Sequence, residues 1–208
     1  ETIFPFYFVA GAVCCGFGIL LVQLIPLRKW CNLEDIITMA HIDKICKMLL
    51  LMGCIMGYIY VVEFFIAWYS GNPYDAWVFG HRMFGHQYWY GGWIMILINA
   101  SLPQLLWIKK VRQNLLLVFI IAVLVNIGMW FERFTIIVGS LYQDFLPANW
   151  GVFYPTWVDA GVFLGTLGTF FMLYLLFVRF LPMIPVSEVK AVTPQANPHH
   201  PAGGASVK

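Results

Sequence analysis

Charge is what this chain of 208 residues has least of: Asp, Glu, Lys and Arg together make up 11% of it, against roughly a quarter in soluble domains. That shortfall excludes a soluble enzyme, a nucleic-acid binder and a disordered regulator, each of which needs a charged surface. The net charge of +2 is too small to point to any partner. Cysteine is sparse and unhelpfully spaced. Cys14, Cys15, Cys31, Cys46 and Cys54 form no C-x-x-C, and four of them lie in or beside apolar runs, so neither a disulfide framework nor a zinc site is expected. Histidine is missing from where a b-type cytochrome needs it. Haem ligands of that kind project from the interior of spanning helices, whereas His41, His81 and His86 fall in connections and His199 and His200 in the tail. No haem and no metal is expected on this chain.

What the chain does have is apolar length, with 61% hydrophobic residues. A spanning helix needs about 20 mostly apolar residues to cross a hydrocarbon core about 30 Å thick. The pattern predicts an all-α, polytopic membrane helix bundle with five transmembrane helices, over about 3–27, 48–68, 89–108, 115–141 and 157–180, within a membrane region 1–181. Pro103 is expected to kink the third. An amphipathic segment over 32–47 fits an interfacial helix, with Asp43 and Lys47 spaced for an i,i+4 pair. The tail, 182–208, is rich in Pro, Gly, Ala and Ser and is expected to be a disordered cytoplasmic extension. No internal repeat is seen.

Short cytoplasmic connections are enriched in Lys and Arg. The first connection holds Arg28, Lys29, Lys44 and Lys47, the third Lys109, Lys110 and Arg112, and the tail Lys190 and Lys208, while the other two hold only Arg82. The N-terminus is therefore expected outside and the C-terminus inside. The chain starts at Glu1 with no signal peptide ahead of that outside end, so an earlier part of a longer chain is expected to precede it.

Ionisable groups inside a bilayer are costly, and each is a functional candidate. Glu63 in the second helix, Glu132 and Arg133 in the fourth and Asp159 at the start of the fifth all fall towards the outer side. Neighbours on a helix diverge by about 100 degrees, so Glu132 and Arg133 cannot face one partner together. Two readings stand. Glu63 and Arg133 form a buried structural ion pair, or the cluster binds a polar headgroup and accepts its protons. A thinner polar trail, Asn99, Ser101, Gln104, Asn126, Tyr58 and Tyr60, reads either as hydrogen bonding between helices or as a proton path running from His41 through Gln104, Asn126 and Tyr58. The outer connections are dense in aromatics, from Trp68 to Tyr90 and from Trp150 to Trp157, which reads as an interfacial belt or as a docking surface for an extrinsic protein.

The run MWFERFTIIVGSLYQDFLPANWGVFYPTWVD from Met129 to Asp159, with HIDKICKMLLLMGCIMGYIYVVEFFIAWYSGNPY from His41 to Tyr74, resembles the NrfD-like, polysulfide-reductase-type membrane subunits. The likeness is nearest to the larger quinol-interacting subunit of bacterial alternative complex III, and the ending FVRFLPMIPVSEVKAV, Phe177 to Val192, resembles that subunit's C-terminus. Such subunits have two helix bundles and eight to ten spans, so five spans imply the C-terminal half of a longer two-bundle chain. The resemblance implies menaquinol or ubiquinol oxidation at the outer face of the bacterial inner (cytoplasmic) membrane. Electrons would pass to iron–sulfur clusters of an extrinsic partner and then to c-type haem subunits, beside a homologous NrfD-like subunit and lipid. The chain itself would bind no cofactor. By the same resemblance Arg133, Glu132, Glu63 and Asp159 would form a wall of the quinol site or a proton route. Two other functions remain open: a redox-coupled proton translocation module, and a non-catalytic membrane anchor for extrinsic redox subunits.

Overall fold

The structure is a computed structural model that describes residues 3–85, 88–142 and 146–181. The described residues are helical or irregular, with no strand among them. The chain divides into two units, Glu1–Phe153 and Tyr154–Lys208. In the first, α1 runs Phe4–Trp30, α2 Met39–Tyr69, α3 Pro73–Phe84, α4 Trp89–Ile96, α5 Lys109–Arg112 and α6 Leu115–Leu141. In the second, α7 runs Trp157–Phe180. The expected tail over 182–208 lies outside the described residues, as does His86.

Four helices are long and apolar enough to cross a membrane: α1, α2, α6 and α7. The third expected span is not one long helix. It is α-helical in α4, turns π-helical over Leu97–Ser101 and tightens to a 3-10 helix over Leu102–Trp107. Pro103 accounts for the change. It brings no N–H for the carbonyl of Asn99, and its ring cannot share space with that carbonyl, so the turn before it widens. The expected interfacial segment also differs. Residues 39–47 continue without a break into α2, and Thr38 with His41 caps its start in a reciprocal capping box.

The first unit is held by a repeated spacing. Buried positions run Tyr7, Gly11, Cys14, Gly18 and Leu21 on α1; Ile42, Cys46, Leu49, Gly53, Met56 and Tyr60 on α2; and Val118, Ala122, Val125, Met129 and Glu132 on α6. Each list steps by four and three in alternation, the pattern of helices crossing at about 20 degrees with interlocking side chains. Helix α1 packs on α2 and α6, and the broken third segment packs on the same two helices. Glycines set the close approaches. Gly53 and Gly57 of α2, spaced G-x-x-x-G, face Pro103 and Ala100. On α1, a Cβ at Gly11 would lie 2.6 Å from Arg133 Nη2, and one at Gly18 would lie 2.8 Å from Asn126 Nδ2. The two sequences pair in opposite order, so α1 and α6 are antiparallel.

The first unit has two distinct ends. At the basic end Asp43 Oδ1 accepts from Arg112 Nε at 2.7 Å and Asp43 Oδ2 pairs with Lys47 Nζ at 2.7 Å. Arg112 Nη1 also donates to the carbonyls of Leu106 and Trp107, closing the 3-10 helix. At the aromatic end lie Trp68, Tyr69, α3 and Tyr88. Helix α3 is amphipathic, begins with Pro73 after an Asn72 cap, and places Phe79 and Met83 inward.

Candidate functional site

The polar residues of the first unit gather around Glu132, the last of the buried α6 positions with that spacing. Its side chain is fully buried. The hydroxyl of Tyr60 donates a short hydrogen bond to Glu132 Oε2, and Asn99 Nδ2 donates to the same oxygen at 3.1 Å and to Tyr60 Oη at 3.2 Å. Asn99 reaches this place from the widened π-helical turn, and its own carbonyl-type oxygen lies against Gly128, where any side chain would collide with it. The ring of Tyr7 packs edge-on to Tyr60 at 5.8 Å. Tyr60 of α2 and Asn99 of the third segment thus both donate to one acid of α6.

Arg133 lies beside Glu132, and both side chains come up against Gly11 of α1. Its Nη2 lies 3.6 Å from Glu132 Oε1 and donates to the Phe8 carbonyl at 3.4 Å. The guanidinium stacks 4.0 Å over the Phe8 ring. Glu63 is not its partner: the Glu63 carboxylate pairs with Arg82 Nη1 of α3 at 3.8 Å. Helix α3 falls where a connection is expected, and it brings Arg82 to Glu63 in place of the Arg133 of the expected pair.

A second polar group lies one turn further towards the aromatic end. Val78, His81 and Arg82 of α3, Tyr88, and Thr135, Gly139 and Tyr142 at the end of α6 enclose a cavity of about 80 Å³. His81 Nε2 and Tyr142 Oη are 2.7 Å apart. Trp77 stacks on the His81 ring at 4.8 Å. Thr135 is buried and its Oγ1 has no hydrogen-bond partner among the described residues, as is also true of Glu132 Oε1 and Arg133 Nη1. Of these three atoms only Thr135 Oγ1 belongs to a residue that lines the cavity, which is large enough to admit water that would satisfy it.

The remaining sequence candidates lie elsewhere. Asp159 caps its own helix in the second unit, where Oδ2 accepts from Thr156 N and Oγ1 at 2.8 Å each. His41 is exposed at the basic end, with Nδ1 in the Thr38 cap. Gln104 donates to the Ala100 carbonyl at 3.1 Å and accepts from Trp107. Asn126 donates to the Ala122 carbonyl at 2.7 Å and accepts from Cys15 Sγ. Tyr58 is 68% exposed on the outside of α2. Of the expected trail, the acid cluster takes up Asn99 and Tyr60 and none of these four. No group of three or more metal-ligating side chains occurs among the described residues.

A bundle of apolar helices, four of them long enough to cross a membrane, with a buried acid, an adjacent arginine and a polar cavity at one end, defines a multi-pass membrane protein. The comparisons give the family. The family model for polysulphide reductase, NrfD, matches residues 1–143, more than two thirds of the chain. The chain belongs to the NrfD polysulphide reductase family, and so is a membrane subunit of redox enzyme complexes. No curated protein matches it.

Proposed function

We propose that the chain is the C-terminal half of a quinol-oxidising membrane subunit of the alternative complex III type, with its aromatic end at the outer face of the bacterial inner membrane. The observation that carries this reading is Glu132: a fully buried carboxylate that accepts from Tyr60 and Asn99, with an adjacent guanidinium and a cavity large enough for several waters on its aromatic side. Oxidation of a quinol releases two electrons and two protons. A buried carboxylate that two donors hold in place suits acceptance of such a proton, because its orientation is fixed before the transfer. Electrons leave to iron–sulfur clusters of an extrinsic partner and from there to c-type haem subunits. The basic connections then face the cytoplasm, in keeping with the charge bias of such loops.

These residues form a wall of the quinol site and the route by which its protons depart. The trail towards the basic end supports translocation less well, since Gln104 and Asn126 are bonded to their own helix carbonyls and Tyr58 faces outward. The test is to purify the assembled complex, identify its subunits by mass spectrometry and record optical and EPR spectra, then measure quinol oxidation in Glu132→Gln and Arg133→Leu. Iron–sulfur and c-type haem signals with turnover lost in both variants are the expected result. Clusters with molybdenum and no haem would make it a polysulfide-reductase-type enzyme. Unchanged turnover in stably assembled variants would leave a membrane anchor.

A further inference from the structure

We infer that Thr135, His81 and Tyr142 form the exit by which protons pass from Glu132 to the water at the aromatic end, which rests on the reading that Glu132 receives them. Glu132, Thr135 and Gly139 of α6 and its C-cap Tyr142 recur at steps of three and four, so they lie on one continuous face. Thr135 is three residues beyond Glu132 and lines the cavity, and its hydroxyl is buried with no partner. A Cβ at Gly91 of α4 would strike that hydroxyl, so glycine leaves just enough space for it. At the far side of the cavity His81 Nε2 meets Tyr142 Oη at 2.7 Å, and both side chains are part-exposed. The elements in sequence are therefore a buried acid, a hydroxyl able to donate and accept at once, room for several waters, and an imidazole at the surface.

Each step moves one proton and forms no other bond. The Glu132 carboxyl gives its proton through water to Thr135 Oγ1, which passes on its own. A further water delivers a proton to the His81–Tyr142 pair, and the imidazole releases it to bulk water. Histidine suits the last position because its ring has two nitrogens, so a proton can be accepted on one and released from the other. The groups facing His81 are Tyr142 and Thr135 from α6, Tyr88 beside α4, Trp77 and Arg82 from its own helix, and Glu63 of α2 through its pair with Arg82. Gly139 leaves the face open between Thr135 and Tyr142, since a Cβ there would meet nothing within 4 Å.

The test uses the assembled complex in vesicles with a membrane-impermeant pH dye on the aromatic-end side, following electron arrival at the partner's clusters and proton appearance in a single turnover. His81→Ala and Thr135→Val are expected to slow proton appearance by at least about tenfold, as loss of a positioned proton carrier does. Thr135→Ser should stay near the parent rate, and added imidazole should restore His81→Ala. A merely structural part for these residues predicts no rescue by imidazole and equal damage from Ser and Val, and either of those results overturns the proposal. So do parent rates in both slow variants. If the parent complex itself oxidises no quinol, the functional reading fails and the exit with it, whereas an active parent with unaffected variants overturns the exit alone.

Discussion

Along α6 the packed face changes character between Met129 and Glu132. From the basic end it carries Val118, Ile121, Ala122, Val125 and Met129, an apolar surface against α1, α2 and the third segment. Beyond it carry Glu132, Thr135, Gly139 and Tyr142, and the partners are Tyr60, Asn99, Arg133 and His81. The two halves share one helix and one spacing, so the fold treats them alike. They differ in what a substitution removes. In the apolar half only fit is lost, but around Glu132 a donor loses its acceptor where no bulk water can replace it.

The sharpest way to break this contrast is Glu132→Leu. It strips the acceptor from Tyr60 and Asn99 and leaves Arg133 uncompensated, and the expected cost is about 3–5 kcal/mol together with loss of turnover. Glu132→Gln keeps an acceptor and should lose turnover at a cost within about 1 kcal/mol. Thermal unfolding of the detergent-solubilised chain compares the two, and equal stability would mean that hydrogen bonds do not hold the polar half. Gly11→Leu comes next, at about 1–3 kcal/mol, because the new side chain meets Arg133 Nη2 and Met129. In the apolar half, Val125→Ala should cost about 1–2 kcal/mol with turnover per assembled complex unchanged; a fall in turnover there would erase the division. For Glu63 and Arg82, a part-exposed pair at 3.8 Å, a double-mutant cycle should give less than about 1 kcal/mol. Tyr58→Phe should be indistinguishable from the parent in both stability and rate, since the side chain faces outward.

Apolar length was legible from the sequence because a membrane span is a property of composition over about 20 residues. The broken third segment was only half legible: Pro103 announced a distortion, but not that it would widen the turn around Asn99 and so aim that side chain at Glu132. Glu132 and Arg133 stand out in any reading as charges in an apolar run. Their partners did not stand out, since a tyrosine hydroxyl or an asparagine in a helix reads the same whether it faces a neighbour or lipid. The four-and-three spacing on α2 separates the two cases, placing Tyr60 inward and Tyr58 outward. Helix α3 escaped notice because a loop dense in aromatics, glycine and proline resembles an interfacial belt, and with it the cation that Glu63 takes and the histidine that meets Tyr142 went unassigned.

The glycines of α1 carry one more consequence. Gly11 and Gly18 are seven residues apart, and so are the two side chains that fill their hollows, Asn126 and Arg133. Moving α1 along α6 by one turn would set bulk against bulk, and even a shift by a whole repeat, about 10.5 Å, would bring only one hollow under one of the two polar side chains. The register is therefore discrete, like the teeth of a key. If α1 entered the bilayer at the wrong height, it could not creep into place against α6 one turn at a time.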